Sequence, residues 1–158
     1  MHLIIKTLKH QDAASYRAIR LESLKSHPDN YGSNFEQENS KPTLFFENEI
    51  QTLNSPNIML GAFLDSQLIG ICGLIPNESH QFQIVQMYVK SAFGGLGVAK
   101  KLISFSKQLL ATHHKTALVL TVYAENLTAI ELYKKCVFQV VASTENEINM
   151  CYFPQPCT

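Results

Sequence analysis

The chain lacks a charge imbalance. Its 158 residues hold 13 lysines and arginines against 13 aspartates and glutamates, a formal net charge of zero. A nucleic-acid groove normally leaves a basic excess, so no nucleic acid is expected and a small or neutral partner is. Long apolar runs are also missing. The N-terminal Leu3-Ile4-Ile5 run stops at Lys6, and no stretch approaches the roughly 20 apolar residues that span a bilayer, so neither a secretory signal nor a membrane partner is expected. This places the protein in the cytoplasm as an expectation. Cysteine is sparse too: Cys72, Cys136, Cys151 and Cys157 form no close pair, which disfavours zinc and redox motifs. Cys72, Cys136 and Cys151 are expected to pack as small apolar residues. Repeats, low-complexity tracts and composition shifts are missing as well, and 46% apolar residues exclude disorder, so one domain over 1–158 is expected.

What is present is an alternation of strand and helix patterns. Leu3 to Leu8 reads as a strand, and Asp12 as the N-cap of a helix to about 25. A breaker cluster from His27 to Ser33 follows, after which Pro42 could start a second helix carrying Leu44, Phe45, Ile50 and Leu53. Ile58–Leu64 and Leu68–Ile75, separated by Asp65-Ser66-Gln67, read as an antiparallel hairpin. In a third strand, Phe82, Ile84, Gln86 and Tyr88 should face one side and Gln83, Val85, Met87 and Val89 the other. Val98, Leu102, Phe105 and Leu109 mark a long amphipathic helix. Ala117 to Tyr123 is apolar enough for an interior strand covered on both faces, at the centre of the sheet. A short helix over about 128–136 and strands near 138–142 and 148–153 complete an α/β (α+β) domain with a mixed sheet, order βααβββαβαββ.

The stretch from Met87 to Lys100 carries the chemistry. A strand runs into a loop holding Gly94, Gly95 and Gly97, and the loop opens directly into a helix whose first N–H groups are unpaired and whose dipole end is positive. Such an arrangement can cradle phosphate, although a glycine-rich turn without a ligand is the alternative. A Walker loop needs Gly-Lys-Ser/Thr, and neither Lys100 nor Lys101 follows a glycine. A dinucleotide fingerprint from Gly95 would put Lys100 at its third glycine and has no acid near 117–121 to hold a ribose.

These residues resemble the GNAT superfamily of N-acetyltransferases, whose coenzyme motif is Gln/Arg-x-x-Gly-x-Gly/Ala at a helix start. Gly97 and Ala99 match its last two positions, behind Met-Tyr-Val. A second family signature is met by Asn126, Ala129, Leu132, Tyr133, Lys135 and Phe138. Arg20-Leu21-Glu22-Ser23-Leu24 and Tyr31-Gly32-Ser33 are similar to a bacterial branch of varied substrates. There are two departures. The family's Gln/Arg falls on Gly94, and its glycine before the phenylalanine falls on Val137, where a β-branched residue at positive φ is strained; the short helix is therefore expected to end differently.

The resemblance implies a GNAT-like, mostly antiparallel central sheet flanked by helices, and acetyl-CoA as co-substrate without a metal. The pyrophosphate would lie on Gly95, Leu96, Gly97, Val98 and Ala99, beside Gly94 and Lys100, with pantetheine along Met87, Tyr88 and Val89. Ala129 and Leu132 would also contact the coenzyme, as would Asn126, for which an N-cap is the equal alternative; Thr128 with Glu131 offers a competing capping box. Tyr133 would hydrogen-bond the departing thiolate. The implied activity is direct transfer of acetyl to a primary amine of a small molecule or peptide; an acyl-CoA-binding sensor or weak relative, and an interaction module, are the alternatives. The general base is open, since the strand before the loop offers Gln81, Gln83 and Gln86 but no carboxylate. Glu78 and His80 just precede it. His113 and His114 are read as partners of a helix dipole. Tyr31, Phe35, Phe45 and Phe46 are candidates for the acceptor pocket. A homodimer is left open.

Overall fold

In the computed structural model the described residues are 2–28 and 33–154. The chain forms β1 (Leu3–Thr7), α1 (Ala13–Ser26), α2 (Phe35–Asn39), α3 (Phe45–Gln51), β2 (Ile58–Leu64), β3 (Gln67–Pro76) and β4 (Phe82–Val89). Then follow α4 (Val98–Thr112), β5 (Leu118–Tyr123), α5 (Leu127–Lys135), β6 (Gln139–Ser143) and β7 (Glu147–Tyr152). Among the described residues the one α-helix beyond the expected order is α2, a single short turn capped by Asn34 Oδ1, which accepts from Gln37 N–H at 2.8 Å. Pro42 does not begin α3; that helix starts at Phe45 behind Leu44, whose N–H is held by Glu47 Oε1 at 2.9 Å. Asp12 does precede α1, but its carboxylate accepts from Lys9 N–H at 2.9 Å rather than from the helix.

Seven strands form one sheet in the order β1-β2-β3-β4-β5-β7-β6, antiparallel except for the parallel pair β4–β5. The middle position therefore belongs to β4, with β5 its neighbour. One core lies between the sheet and α4 and α5 and contains Leu60, Leu74, Ile84, Leu102, Leu118 and Ile130. A second lies between the other face and α1 and α3 and contains Tyr16, Ile19, Phe46, Met59 and Ile71. On α4 the buried stripe runs through Val98, Leu102, Ile103, Ser106 and Leu110, leaving Phe105 and Leu109 on its flank. Only one face of β5 is closed: Leu118, Leu120 and Val122 are buried, while Thr121 is exposed. The apolar richness of this strand therefore overstated its coverage.

Strand β4 departs from simple alternation. Val85 pairs with Gly73 and Tyr88 with Ile71, so β4 advances three residues while β3 advances two. The extra residue makes a bulge, with Gln86 at φ 55°. Ahead of the bulge Phe82 and Ile84 face α4; beyond it Met87 and Val89 do, and Tyr88 packs with Tyr16 and Ile71 on the α1 side. The expected grouping of Gln86 and Tyr88 with Phe82 and Ile84 is thereby reversed, because one inserted residue shifts every later side chain to the other face.

Cys72 is fully buried and Cys151 nearly so, as expected of small apolar residues, while Cys136 is half-buried. Burial pushes the Cys72 thiol up to about 12 even with Ser106 Oγ 3.7 Å away, so it is inert as a nucleophile. Cys157 lies outside the described residues.

Candidate active site

β4 and β5 pair only at Phe82–Leu118 and Gln83–Val119 and then separate. The wedge between them holds a cavity of about 500 Å³. Its wall draws on both sheet faces: Leu120, Val122 and Met87 with the α5 residues, and Arg20, Phe45 and Phe46 from α1 and α3. Two substrates can therefore approach one point from opposite sides of the sheet. Parallel strands that stop pairing would leave backbone groups unsatisfied, which is tolerable only where solvent or a ligand supplies partners.

The α5 wall is built by local spacing. Ala129, Leu132 and Tyr133 lie three and four residues apart, hence on one helical face, and all three line the cavity with Asn126. Asn126 Oδ1 accepts from Ala129 N–H at 3.2 Å, so it caps the helix while lining the site. Thr128 sits inside the helix and forms no capping box. Tyr133 is buried, its ring edge-on to Phe138 with centroids 5.4 Å apart.

The end of α5 corrects one expectation. Val137 adopts φ 71°, its N–H bonds Lys134 O at 3.0 Å, and Phe138 N–H bonds Tyr133 O at 3.0 Å. This is the usual left-handed helix ending with its ring contact, made here by a residue that finds it costly. The two backbone bonds and the Tyr133–Phe138 packing outweigh the strain.

Beyond β4 the loop turns through Ser91–Phe93 and reaches Gly97, the N-cap of α4. Gly95 and Gly97 have φ 80° and 76°, and a Cβ on either would meet no atom within 4 Å. Gly94 is different: its φ is −65°, so its conformation does not require glycine, and its N–H already bonds Ser91 O at 3.2 Å. The ladder of α4 begins with Lys101 N–H to Gly97 O at 3.1 Å. The N–H groups of Val98, Ala99 and Lys100 thus have no intrahelical acceptor and sit at the positive end of the helix dipole. Lys90 pairs with Glu22 at 3.4 Å, and Lys100 is exposed on the first turn.

Met87 lines the cavity, whereas the Tyr88 side chain points to α1, where its hydroxyl donates to Glu22 Oε2 at 2.7 Å. Val89 packs in the α4-side core. Of the aromatic candidates, Phe45 and Phe46 line the cavity. Phe35 instead lies under Lys25 Nζ at 5.7 Å, and Tyr31 lies outside the described residues. Glu78 and His80 are exposed on the turn before β4, and His80 O accepts from Thr116 N–H at 2.8 Å, at the closed end of the wedge. Neither lines the cavity. At the end of α4, His113 packs its ring against Phe82, with centroids 5.6 Å apart.

Sequence reasoning missed Tyr123, Glu147 and Gln86 as a group. Glu147 pairs with Tyr123 across β7 and β5 and is the one carboxylate among the described lining residues. Nothing local marks it, because the two strand positions stand 24 apart in sequence. Gln86 Oε1 accepts from Tyr16 Oη at 2.6 Å. Arg20, on the buried stripe of α1, was visible only as part of a run similar to a bacterial branch. Among the described residues no group of three or more His, Cys, Asp or Glu side chains could hold a metal ion, and no helix is long and apolar enough to cross a membrane.

The wedge between parallel strands thus has a helix on one side and a glycine loop at the start of another helix beyond it. Residues 17–138 match the acetyltransferase (GNAT) family. The chain belongs to that family. Among solved structures it is similar to the PaiA N-acetyltransferase of Thermoplasma acidophilum in complex with coenzyme A. That match has 22% identity and a TM-score of 0.82 over 98% of this chain and 100% of the other. A putative streptothricin acetyltransferase from Bacillus anthracis, in complex with acetyl-coenzyme A, matches at 20% identity and TM-score 0.72 over 98% and 100%. A ribosomal-protein-alanine N-acetyltransferase from Brucella melitensis matches at 16% and 0.73 over 96% and 99%. No curated protein matches the chain in sequence.

Proposed function

We propose that the protein is an N-acetyltransferase that moves the acetyl group of acetyl-CoA to a primary amine of a small molecule or peptide by direct attack in a ternary complex. The observation that carries this reading is the cavity in the β4–β5 wedge, with Tyr133 on its α5 wall and residues of α1 and α3 on the opposite one. Acetyl-CoA supplies a thioester whose carbonyl carbon the acceptor nitrogen attacks. The N–H groups from Gly95 to Lys100 fit its pyrophosphate, because the two left-handed glycines leave the approach open. Met87, Ala129 and Leu132 offer an apolar wall for the pantetheine arm, and Asn126 a polar contact at the helix start.

Tyr133 donates a hydrogen bond to the sulfur as negative charge develops there. With ordinary pKa values of about 10 for tyrosine and about 8.5 for a thiol, complete proton transfer would be uphill by roughly 2 kcal/mol, so hydrogen bonding suffices. Most of the acceleration comes from holding amine and thioester in line from opposite faces of the sheet. Glu147, at the β7 side of the cavity, is placed to take the amine's proton directly or through water.

Incubating the protein with acetyl-CoA and a panel of amines, and following free thiol and acetylated product, tests the reading. Both should appear in equal amounts. Coenzyme binding without any product would mark a sensor instead. In calorimetry, Gly97→Val should lose coenzyme affinity in a folded protein; unchanged affinity would place the phosphates elsewhere.

A further inference from the structure

The acceptor side of the cavity contains a fixed amide. Gln86 lines it from the bulge of β4, at φ 55° between Val85, which pairs with Gly73, and Tyr88, which pairs with Ile71. Its Oε1 accepts from Tyr16 Oη at 2.6 Å, across 70 residues of sequence. Tyr16 is almost completely buried, and burial raises its pKa well above the ordinary value, opposed in part by Arg20, so it stays protonated and acts as the donor. With Oε1 taken up by the Tyr16 hydroxyl, the carboxamide turns its Nε2 away from that hydroxyl. Among the described residues the Gln86 Nε2 group donates to no acceptor. Two N–H donors are therefore presented beside the point where β4 and β5 part.

The remaining charges of the cavity divide between its walls. Arg20, on the same α1 side as Tyr16, contributes positive charge, and Glu147 contributes negative charge from β7. No carboxylate stands on β4. An alkylamine with a pKa above 10 arrives almost wholly protonated, whereas the α-amine of a peptide N-terminus, near 8, is about one-tenth neutral at pH 7. A site with a single rim carboxylate suits the second.

We propose that the acceptor is an α-amine, the amino group of an amino acid or of a peptide N-terminus, and that Gln86, set by Tyr16, selects it by donating to the neighbouring carbonyl or carboxylate oxygen. Gln86 is a specificity residue that touches the acceptor, and Tyr16 is a positioning residue that acts through it. This rests on the acetyltransferase reading and narrows its acceptor. A neutral amide suits the task better than a carboxylate would, since an acid at this position would repel the same oxygen. Positive potential from Arg20 on that wall favours the oxygen further.

The test compares alanine amide, alanine and n-propylamine as acceptors, each rate referred to its neutral-amine fraction, in the wild type, Gln86→Glu and Tyr16→Phe. In the wild type kcat/KM should favour alanine amide and alanine over propylamine by about tenfold or more, the effect of one strong hydrogen bond. Gln86→Glu keeps an acceptor for Tyr16 and removes the donors, so this preference should fall towards one, through KM rather than kcat. Free alanine should suffer more than its amide. Tyr16→Phe should lower the preference in the same direction by less, and an unfolding curve for each variant verifies folding. Acetylation without the preference, or a preference unchanged in folded Gln86→Glu, overturns the proposal and leaves the acetyltransferase reading intact. If acetyl-CoA binds and no amine is acetylated, the acetyltransferase reading fails and the proposal falls with it.

Discussion

Replacing Val137 with glycine should stabilise the protein, because the native backbone there suits glycine and the isopropyl group is mostly exposed. A left-handed conformation costs an ordinary L-residue about 1–2 kcal/mol, and a β-branched residue belongs at the upper end. Two terms oppose the gain. Glycine adds about 0.4–1 kcal/mol of unfolded-state entropy. The side chain is 60% exposed, so about two-fifths of a buried valine's ~1.5 kcal/mol, roughly 0.6, is also lost. The balance is a stabilisation of about 0.5–1 kcal/mol, or roughly 1–4 °C in Tm for a chain of this size. Urea and thermal unfolding of wild type, Val137→Gly and Val137→Ala read it out. Alanine should fall between the other two, since it removes the branch but keeps the left-handed cost. The functional site gains a cleaner support, because the Phe138 N–H to Tyr133 O bond belongs to the same turn. A Val137→Gly protein that unfolds earlier than wild type would refute the reasoning and show that the partly covered methyl groups outweigh the backbone strain.

Three further outcomes follow from the site and the fold. Gly94→Arg should fold normally, since φ is −65° and a Cβ would stand 3.4 Å from Ser91 O. It should tighten acetyl-CoA binding by about tenfold at low salt and less at high salt, because Lys90 is occupied by Glu22. Equal affinity at every ionic strength would show that Lys100 already serves the phosphates or that they lie elsewhere. Tyr133→Phe should lower kcat about 30- to 150-fold with little change in coenzyme affinity; an unaltered kcat with chemistry limiting would assign the tyrosine to packing alone. Hydrogen bonds from Asn57 and Ser55 hold the Glu49 carboxyl below its ordinary value of 4.5 despite some desolvation. Its contribution is therefore complete above that pH and is lost as pH falls through the lower folded value. Glu49→Gln should show a shallower loss of stability on acidification below 4.5 than wild type, and an identical slope would remove Glu49 from the acid response.

Much of the framework was legible because it follows from short-range periodicity. The hairpin of β2 and β3, the stripe beginning Val98-Leu102 and the loop glycines all declare themselves within a dozen residues. So does the shared face of Ala129, Leu132 and Tyr133, since three- and four-residue spacing on a helix leaves no other arrangement. Gly95 and Gly97 were identifiable for the same reason: the φ values a tight entry to a helix demands are ones glycine adopts freely. The strand alternation read from Phe82 to Val89 held until Gln86 and then reversed, and no property of those residues announces the change. A bulge exists only against a partner strand, and the count of residues on β3 decides where it falls.

Tertiary structure alone decided much of the cavity's lining. Tyr16 meets Gln86 across 70 residues, and Glu147 joins the cavity through its pairing with Tyr123. Val137 shows the same division from the other side. Its sequence argued against a left-handed turn, yet the helix ends in one, because two hydrogen bonds and the Tyr133–Phe138 contact together exceed the strain at one residue. Local preference is worth about a kilocalorie per residue, and packing overrides it wherever several contacts act on one backbone angle. The sequence by itself thus determined the elements and the glycine loop, where each residue answers to near neighbours. Where the sheet parts and what lines the opening depend on registers between distant strands, which only the folded chain sets.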